Sequence, residues 1–481
     1  MAQTDIEIAV QELVGKQGRY TSFWDYYDGR QPLVYSSDKL REVFNSLRAR
    51  FTENWCAVVV DSLLDRVELK TPQLKATTTQ ATVTGQDALE ILWEQAGIVD
   101  EEYNTHEDIA VTGEAFIIAW KNADGQIEAF HNDARVCMAQ YATENPRTMR
   151  FAAKWWQGDD SKWYLNLYYP DRIEHWWTVR EYSDLETPEA RGFSPWPELE
   201  SEPNPYGKIP VFHFRSNLRT PRSQLANATE LQDAVNKLLA DMMIAAEFGA
   251  FPQRYVISQA GIKGLRNNPN AIWDLVAGES GMQATEAGQF DAAPLSNYLD
   301  AINKLSADIG IITRTPRYYF FAQGGDPSGE ALIVMESPLA KKTERWQATL
   351  LPVWRDLASF LMTLAGQPTP SGDIAVTYEP AATRQPLTEG NVRKLAIDAG
   401  MPLRTYLRRE ENWTVQELAQ LQLDKQAENA LIPGAGGSAE AMMAEAVREL
   451  RGSLASMGGT PEPATRQRAM TQEELQNARN G

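Results

Sequence analysis

A glycine-rich stretch, Gly324-Gly325-Asp326-Pro327-Ser328-Gly329, is a candidate phosphate-binding loop in this chain of 481 residues. Such a loop cradles phosphates with backbone N–H groups, and it needs a lysine beside a serine or threonine to reach the terminal phosphates. The stretch contains no lysine, and no apolar strand of the required type precedes it. The sequence therefore predicts that this segment does not bind a nucleotide.

The other side chains that could do chemistry are scattered. No Gly-x-Ser-x-Gly elbow for a serine nucleophile is present, and the two cysteines, Cys56 and Cys137, lie in apolar runs that predict buried thiols. Carboxylates are so numerous that no pair stands out, which leaves a hydrolase with an unrecognised carboxylate site open as an alternative. We expect no enzyme, cofactor or metal site. The four histidines lack the spacing and the cysteine partners of a metal site: His106, His131, His175 and His213.

Tryptophan and tyrosine concentrate in three segments, 149–156, 161–169 and 172–180, whose short connections predict antiparallel hairpins. Exposed aromatic rings on a sheet can stack on sugars or bases, so a carbohydrate- or nucleic-acid-binding module is the alternative function. Packing in a core or an interface is the favoured interpretation, because strand alternation should bury at least half of these rings. The aromatic residues concerned are Trp155, Trp156, Trp163, Tyr164, Tyr168, Tyr169, Trp176 and Trp177.

The charge balance is acidic, with a formal net charge of −19. Proteins that grip nucleic acid by neutralising phosphates are usually basic, so tight DNA wrapping is disfavoured. Acidity keeps a large particle soluble, and it also suits a channel through which DNA slides without sticking. The beginning of the chain lacks the features of a signal peptide, and no apolar window is long enough for a membrane span. We expect a protein that is cytosolic when made.

Beyond the glycines, the sequence predicts one long amphipathic helix. Ser328 suits the N-cap, and Glu330 lies in the first turn. Pro338 and Pro352 lie inside the pattern and each removes a backbone donor, which predicts a helix with breaks and kinks. A bent helix entered from a glycine-rich hinge is a mechanical element rather than a catalytic centre. Its apolar stripe comprises Ala331, Met335, Leu339, Trp346, Leu350, Trp354, Leu357, Leu361 and Leu364.

Two further helical patterns, at about 223–248 and from Leu295 to Ile309, flank an insert of short strands and turns. This arrangement predicts a pair of struts with a small domain at one end. Elsewhere we predict helices at 4–16, 54–66, 86–97, 100–111, 388–400 and 403–430, strands at 115–120, 211–214 and 373–378, and a largely flexible tail from Pro433.

Several short motifs, taken in order, resemble those of tailed-bacteriophage portal proteins, the head-to-tail connectors of long-tailed phages. The resemblance covers about residues 20–430. The motifs are Tyr26-Tyr27-Asp28-Gly29 with Asn54-Trp55-Cys56 and Val59-Val60-Asp61, then Asn204-Pro205-Tyr206-Gly207-Lys208-Ile209-Pro210-Val211, Asp326-Pro327-Ser328-Gly329-Glu330-Ala331-Leu332 and Leu350-Leu351-Pro352.

The resemblance implies an α+β fold: an elongated, portal-like subunit with a β-rich wing, a two-helix stem, a small α/β clip, a long kinked helix and a helical crown. The implied boundaries are 1–221 for the N-terminal part of the wing, 222–248 and 294–314 for the stem helices and 249–293 for the clip. Residues 315–380 would contain the tunnel loop, the long helix and the return to the wing, 381–431 the crown and 432–481 a flexible tail.

The resemblance also implies function. Portal proteins form a dodecameric ring at one capsid vertex, through which double-stranded DNA is packaged and ejected without sequence specificity. The implied partners are the terminase large subunit, the head-completion (adaptor) protein, and the major capsid and scaffolding proteins, with no membrane involved. The implied location is the virion, and the host cytoplasm during assembly.

The same resemblance suggests site residues by position. Phe320, Phe321, Gln323, Gly324, Gly325, Asp326, Pro327 and Ser328 would form the channel-facing tunnel loop. Lys237, Asp241 and Lys304 would lie on the stem, and Pro338 and Pro352 would kink the long helix.

Overall fold

The computed structural model describes residues 4–32, 52–75, 80–122, 124–183, 186–199, 201–250, 254–257, 286–289, 294–320, 328–383, 386–410, 413, 418 and 421–425. The fold is a mixture of helices and antiparallel sheets. The chain forms two compact units, residues 1–385 and residues 386–481.

The first unit contains most of the helices. They are α1 (Asp5–Tyr27), α2 (Trp55–Leu64), α3 (Gln80–Gln95), α4 (Ile98–Thr112), α5 (Thr229–Ala250), α6 (Ser296–Thr313) and α7 (Gly329–Leu364). The second unit contains α8 (Pro386–Asp398) and α9 (Leu403–Arg409), and its small core is formed by Tyr406, Leu407 and Leu418.

The strands of the described residues are β1 (Gln73–Leu74), β2 (Glu114–Lys121), β3 (Ile127–Asn132), β4 (Cys137–Tyr141), β5 (Met149–Gln157), β6 (Trp163–Tyr168), β7 (Arg172–Thr178), β8 (Phe193–Pro195), β9 (Glu202–Pro203), β10 (Val211–Arg215), β11 (Arg254–Ile257), β12 (Glu286–Gln289) and β13 (Ile374–Ala375). These strands form four antiparallel sheets. The largest has the order β4–β5–β6–β7–β8 with β9 also paired to β7, and the second has the order β10–β2–β3. Two small sheets pair β1 with β13 and β11 with β12.

Helix α1 reaches the three apolar clusters found among the described residues of the first unit, with buried side chains in two of them and partly buried aromatic rings, such as Phe23 and Trp24, against the third. Its first half packs against the large sheet, where Leu13 lies in a cluster with Phe151 and Trp155. Its second half contributes Tyr20 to a cluster with Phe116. The helix begins with a capping box, in which the Thr4 side chain accepts from the backbone of the third helical residue, whose carboxylate accepts in return. The predicted helix at 4–16 is therefore too short, because the apolar face continues to the aromatic segment.

The third cluster is the main core, and α7 runs along it. Trp354 is fully buried and packs against Phe214, with ring centroids 4.5 Å apart, and against Trp93 at 5.9 Å. Strand β10, which carries Phe214, pairs with β2 and so joins the long helix to the sheet β10–β2–β3. These large buried aromatic surfaces supply much of the apolar area that stabilises the first unit.

The aromatic strands pack mainly against each other. Trp155 is fully buried beside Trp163, with centroids 4.7 Å apart, and Trp156 stacks on Tyr164 at 5.5 Å. The expectation that at least half of the eight rings are buried is wrong. Three are buried and five are half-buried. Of the five, Trp163 and Trp176 lie against the cluster that contains Leu13 and are covered only in part. None of the eight is fully exposed. The thiols of Cys56 and Cys137 are buried, as predicted.

Candidate functional site

The glycine-rich candidate loop lies largely outside the described residues. Phe321, Gln323, Gly324, Gly325, Asp326 and Pro327 all fall in this undescribed stretch, so their assignment to a channel stays a prediction. The structure does describe the two residues that flank the stretch, Phe320 and Ser328, and the elements that hold them.

Phe320 is the residue directly before the undescribed loop, and its side chain is 6% exposed. Its ring lies 5.0 Å from the ring of Trp55 on α2 and against Gly310 on α6, where an added Cβ would come within 3.0 Å of the ring. In this structure Phe320 is therefore an anchor in the main core, and its assignment to the channel-facing loop stays a prediction. An aromatic ring at this position gains more from burial in the core than from exposure to water.

Ser328 begins the long helix as predicted. Its backbone is extended, with φ −60° and ψ 155°, and its Oγ accepts a hydrogen bond from the Ala331 N–H at 3.3 Å. The predicted breaks in the helix are wrong, because α7 continues from Gly329 through Pro338 and Pro352 to Leu364. Neither proline ends the helix, since the packing of its apolar stripe outweighs the loss of two backbone donors.

A polar cluster around Glu336 joins α7 to the segment before the loop. The Tyr318 hydroxyl donates to Glu336 Oε1, and the guanidinium of Arg66 lies 3.2 Å from Oε2. Thr383 donates to the same carboxylate. Burial alone would raise the pKa of Glu336, but the hydrogen bonds from Thr383 and Tyr318 and the charge of Arg66 lower it. The cluster therefore contains a carboxylate held in its charged form.

Sequence reasoning missed this cluster. Arg66 follows α2, Tyr318 lies in a short 3-10 helix at Arg317–Tyr319, and Glu336 is on α7. No spacing along the chain connects residues this far apart, and only the folded core brings them together. The cluster holds the incoming side of the loop against the helix that leaves it.

The proposed stem helices α5 and α6 pack against each other. Val235 and Ile309 are fully buried between these helices and the main core, and Leu238 and Leu305 are partly buried against the same core. The strands β11 and β12, which lie between the two helices in the chain, form an antiparallel pair with Arg254 opposite Gln289. The predicted struts thus have a hairpin in the insert between them, and most of the insert lies outside the described residues.

The charged residues assigned to the stem pair within their own helices. Lys237 forms an ion pair with Asp241 one turn later at 2.5 Å, and Lys304 pairs with Asp308 in the same way. Each lysine is therefore at least partly neutralised by its own helix. The structure does not bring Lys237 and Lys304 into a common cationic site.

A buried electrostatic cluster lies where α1 meets strands β2 and β10. Glu114 accepts hydrogen bonds from the Lys16 ammonium at 3.1 Å and from Tyr20 at 2.9 Å, and its other oxygen lies 2.8 Å from His213 Nε2. The Tyr141 hydroxyl lies 3.1 Å from Nδ1 of the same imidazole. A neutral imidazole that donates from Nε2 and accepts at Nδ1 satisfies both contacts.

The pKa shifts agree with that assignment. Burial lowers the pKa of His213 and favours the neutral ring, although Glu114 opposes this shift. Burial alone would raise the pKa of Glu114, but the charge of Lys16 and the hydrogen bond to His213 hold it well below its ordinary value. The cluster therefore contains one buried ion pair, Lys16 with Glu114, and a neutral histidine.

A second buried histidine is also neutral. His106 Nε2 lies 3.0 Å from the Tyr378 hydroxyl, and that hydroxyl accepts from the Trp354 indole N–H at 2.7 Å. The hydroxyl proton can be donated to His106 Nε2, which is an acceptor in the neutral tautomer that carries its proton on Nδ1. Burial lowers the pKa of His106 to about 3. Within the described ranges, no group of histidine, cysteine and carboxylate side chains could hold a metal ion.

Comparison with known proteins decides the family. The model of the family described as "Phage portal protein, SPP1 Gp6-like" matches residues 16–430, which is most of the chain. The chain belongs to this portal family. The predicted resemblance to phage portal proteins is confirmed.

Two curated relatives carry the name portal protein. The portal protein of Mycobacterium phage D29 is 29% identical over 202 residues, which is 37% of this chain and 38% of the relative. That of Mycobacterium phage L5 is 28% identical over 184 residues, covering 34% of this chain and 35% of the relative. The matched segments span less than two fifths of these relatives.

Among solved structures, an HK97 family phage portal protein from Corynebacterium diphtheriae aligns with 67% of this chain and 90% of its own. Its sequence identity is 11% and its TM-score is 0.32, so the superposition carries no argument here. Throughout the described parts of the chain, no helix combines the length and apolar character needed to cross a membrane.

Proposed function

We propose that this chain is the subunit of a dodecameric portal ring at one capsid vertex. The ring would form the channel for DNA packaging and ejection. It would also provide the docking site for the terminase large subunit and later for the head-completion protein, with the major capsid and scaffolding proteins as its neighbours. Membership of the portal family supports the general function, and the surface of the subunit supports its assembly with other copies.

The observation that carries the proposal is a set of exposed apolar side chains near the loop. On α6, Ile311 is 73% exposed and Ile312 is 47% exposed, and on the first turns of α7 Val334 is 72% exposed. The two helices meet at this end, because the Lys342 ammonium on α7 donates to the Thr313 carbonyl on α6 at 2.9 Å. We assign these exposed apolar side chains to the contact between neighbouring copies, since a head-to-tail contact whose rotation closes produces a ring.

The architecture supports the following assignment. The stem would be α5 and α6, the clip would be the insert that contains β11 and β12, and the tunnel loop would span about 318–329. The wing would comprise the sheets of residues 1–221 with the return at 315–380, and the crown would be 381–431. The hairpin between two packed helices is the arrangement that a stem and a clip require.

The charge distribution supports DNA passage without tight binding. The net charge is −19, and the stem lysines Lys237 and Lys304 are each paired with an aspartate on the same helix. Lysines that are paired in this way hold DNA phosphates weakly, so the stem would let DNA slide. We propose a structural role without enzymatic activity, in the virion and, during assembly, in the host cytoplasm.

Electron microscopy of the purified protein under negative stain, with native mass spectrometry beside it, tests the proposal. We expect rings with a central hole and a mass of twelve subunits. The paired change Ile311→Asp and Val334→Asp should prevent ring closure, because it places carboxylates in the proposed subunit contact. Val179→Asp, at a position 66% exposed in a surface turn, is the matched control and should leave the rings intact.

The opposite result is also defined. A chain that stays monomeric even when expressed with its capsid and scaffolding proteins would contradict the ring. A monomer whose tryptophan fluorescence changes on adding a sugar or an oligonucleotide would favour the binding module instead. The mutual packing of the tryptophans in the large sheet does not favour that alternative.

A further inference from the structure

A polar cleft of about 250 Å³ lies where the end of α6 meets α7 and the segment after β10. Three cationic side chains line it, Arg222, Arg314 and Lys342, together with Ser216, Asn217 and Asn227. No aspartate or glutamate is among its described lining residues. In a chain with a net charge of −19, it is unusual for three cationic side chains to line one cleft without a carboxylate beside them.

The donors of this cleft are only partly used. Within the described part of the chain, none of the three cations forms an ion pair. Arg222 donates through Nη2 to Asn227 Oδ1 at 2.9 Å, and the Lys342 ammonium donates one hydrogen bond, to the Thr313 carbonyl at 2.9 Å. An ammonium has three N–H donors and a guanidinium has five, so most of this capacity faces the cleft or water.

The backbone of Arg314 shows that its side chain is placed at some cost. The residue has φ 62°, in the left-handed region, at the end of α6. Glycine or asparagine is the usual residue at such a helix end, because a larger side chain is strained there. An arginine in this conformation holds its charge beside Lys342.

The electrostatics of Lys342 point in the same direction. Burial, and then the charge of Arg314, lower the pKa of Lys342 to about 8. The α6 carboxyl end carries the negative end of the helix dipole and attracts positive charge. A helix end of this kind accounts for about one cation, whereas three line the cleft.

We propose that this cleft is a binding site for a phosphate-type oxyanion. An arginine fork matches the oxygens of a phosphate in geometry, and a lysine adds a point charge. A single carboxylate would balance one of the three cations, whereas a phosphate monoester carries up to two charges and four acceptor oxygens. The phosphate can come from a free phosphate or nucleotide, or from the backbone of DNA. The site goes beyond the proposed ring and does not depend on its closure.

Calorimetric titration of the full chain with inorganic phosphate tests this site, with chloride at equal ionic strength as the reference. We expect saturable binding, weakened about tenfold or more in Arg314→Gln and in Arg222→Gln, each of which removes one charged donor. Arg219→Gln is the matched control. It removes the same charge from an exposed position in the same segment that does not line the cleft, so it should bind like the parent.

A second readout reports on Lys342 itself. Sulfate does not change its protonation near pH 8, so any proton that is taken up when sulfate binds is taken up by the protein. We expect the parent to take up a proton at about pH 8, because the bound anion raises the lowered pKa of Lys342, and we expect Lys342→Gln to lose this uptake. Circular dichroism and the oligomeric state of each variant in chloride check that the fold is kept.

A fluorescent DNA duplex distinguishes the two sources. If Arg314→Gln weakens binding of the duplex and of phosphate alike, the site takes backbone phosphates. If it weakens phosphate binding alone, the ligand is a free phosphate or a nucleotide. The proposal is overturned if the parent binds no phosphate above the chloride reference, or if Arg314→Gln and Arg222→Gln both bind phosphate as tightly as Arg219→Gln does.

Discussion

Replacement of Glu114 by glutamine should destabilise the first unit more than any surface charge change. The side chains of Lys16 and Glu114 are 6% and 7% exposed, so Glu114→Gln leaves a buried ammonium without its counter-charge. Breaking a buried ion pair by removing one partner costs about 3–5 kcal/mol. The new amide also has one acceptor oxygen where the carboxylate used two, so a contact to His213 or to Lys16 is lost as well.

Urea unfolding followed by tryptophan fluorescence measures this loss, because Trp155 and Trp163 lie in the adjoining sheet. The expected result is a lower midpoint with an unchanged slope. The double variant Lys16→Met with Glu114→Gln removes both charges and should recover most of the loss, which a double-mutant cycle quantifies. Glu144→Gln, at an exposed position, is the matched control.

The pH dependence gives an independent check. The pKa of folded Glu114 lies well below its ordinary value, so its contribution to stability is fully present above the unfolded value of about 4.5. It is lost as the pH falls, because the unfolded chain takes up a proton that the folded chain does not. Glu114→Gln should lack this component. A loss of stability no larger than that of Glu144→Gln would refute the reasoning.

Three further changes have definite expected results. Leu238→Asp should lower the free energy of unfolding by about 2 kcal/mol or more, measured in urea, because it brings a charge against the main core. Replacing Gly324 and Gly325 by proline should leave ring assembly intact and impair DNA packaging, measured as packaged DNA per assembled head. His106→Gln should flatten the fall in stability between about pH 6.5 and pH 3, because the pKa of His106 is lowered to about 3 and only the unfolded chain takes up the proton in that interval.

Each of these has a control or a contrary result. Val179→Asp introduces the same charge as Leu238→Asp at an exposed position and should change stability little. Normal packaging by rings of the proline variant would contradict the loop hypothesis. A parent-like loss of stability in His106→Gln, up to about 1.4 kcal/mol per pH unit, would show that another group titrates there.

The long helix was predictable because its signal is local. Spacing of three or four residues along the sequence identifies one face, and the structure buries Leu339, Trp346 and Trp354 on that face. The prediction of a buried face is wrong at the beginning of the stripe, where Met335 is 40% exposed. Periodicity identifies a face but does not say how far the neighbouring elements extend to cover it.

The electrostatic clusters were not predictable, because their members come together only in the fold. Lys16 and Glu114 are 98 residues apart, and Glu114 and His213 are 99 apart. The sequence indicated a helix at 4–16, and nothing in its pattern connected Lys16 to Glu114. The continuation of α1 to Tyr27 over the sheet is what buries the lysine. The family, by contrast, was recognisable because its short motifs occur in order along the chain. Such motifs are identified from residue types alone, without knowledge of how the residues pack.

Helix α7 is held by the core along its C-terminal part and much less along its first turns. At a rise of about 1.5 Å per residue, the part from Leu339 to Leu364 is a beam of ~39 Å whose apolar stripe is clamped in the main core. The part before it, of ~15 Å, contains no fully buried side chain and is tied down by the polar contacts of Glu336. Pro338, which lacks a backbone donor, lies directly before the first fully buried residue of the helix. A force applied at the N-terminal end of the helix would therefore bend it most at Pro338. The first turns would move while the core keeps its shape.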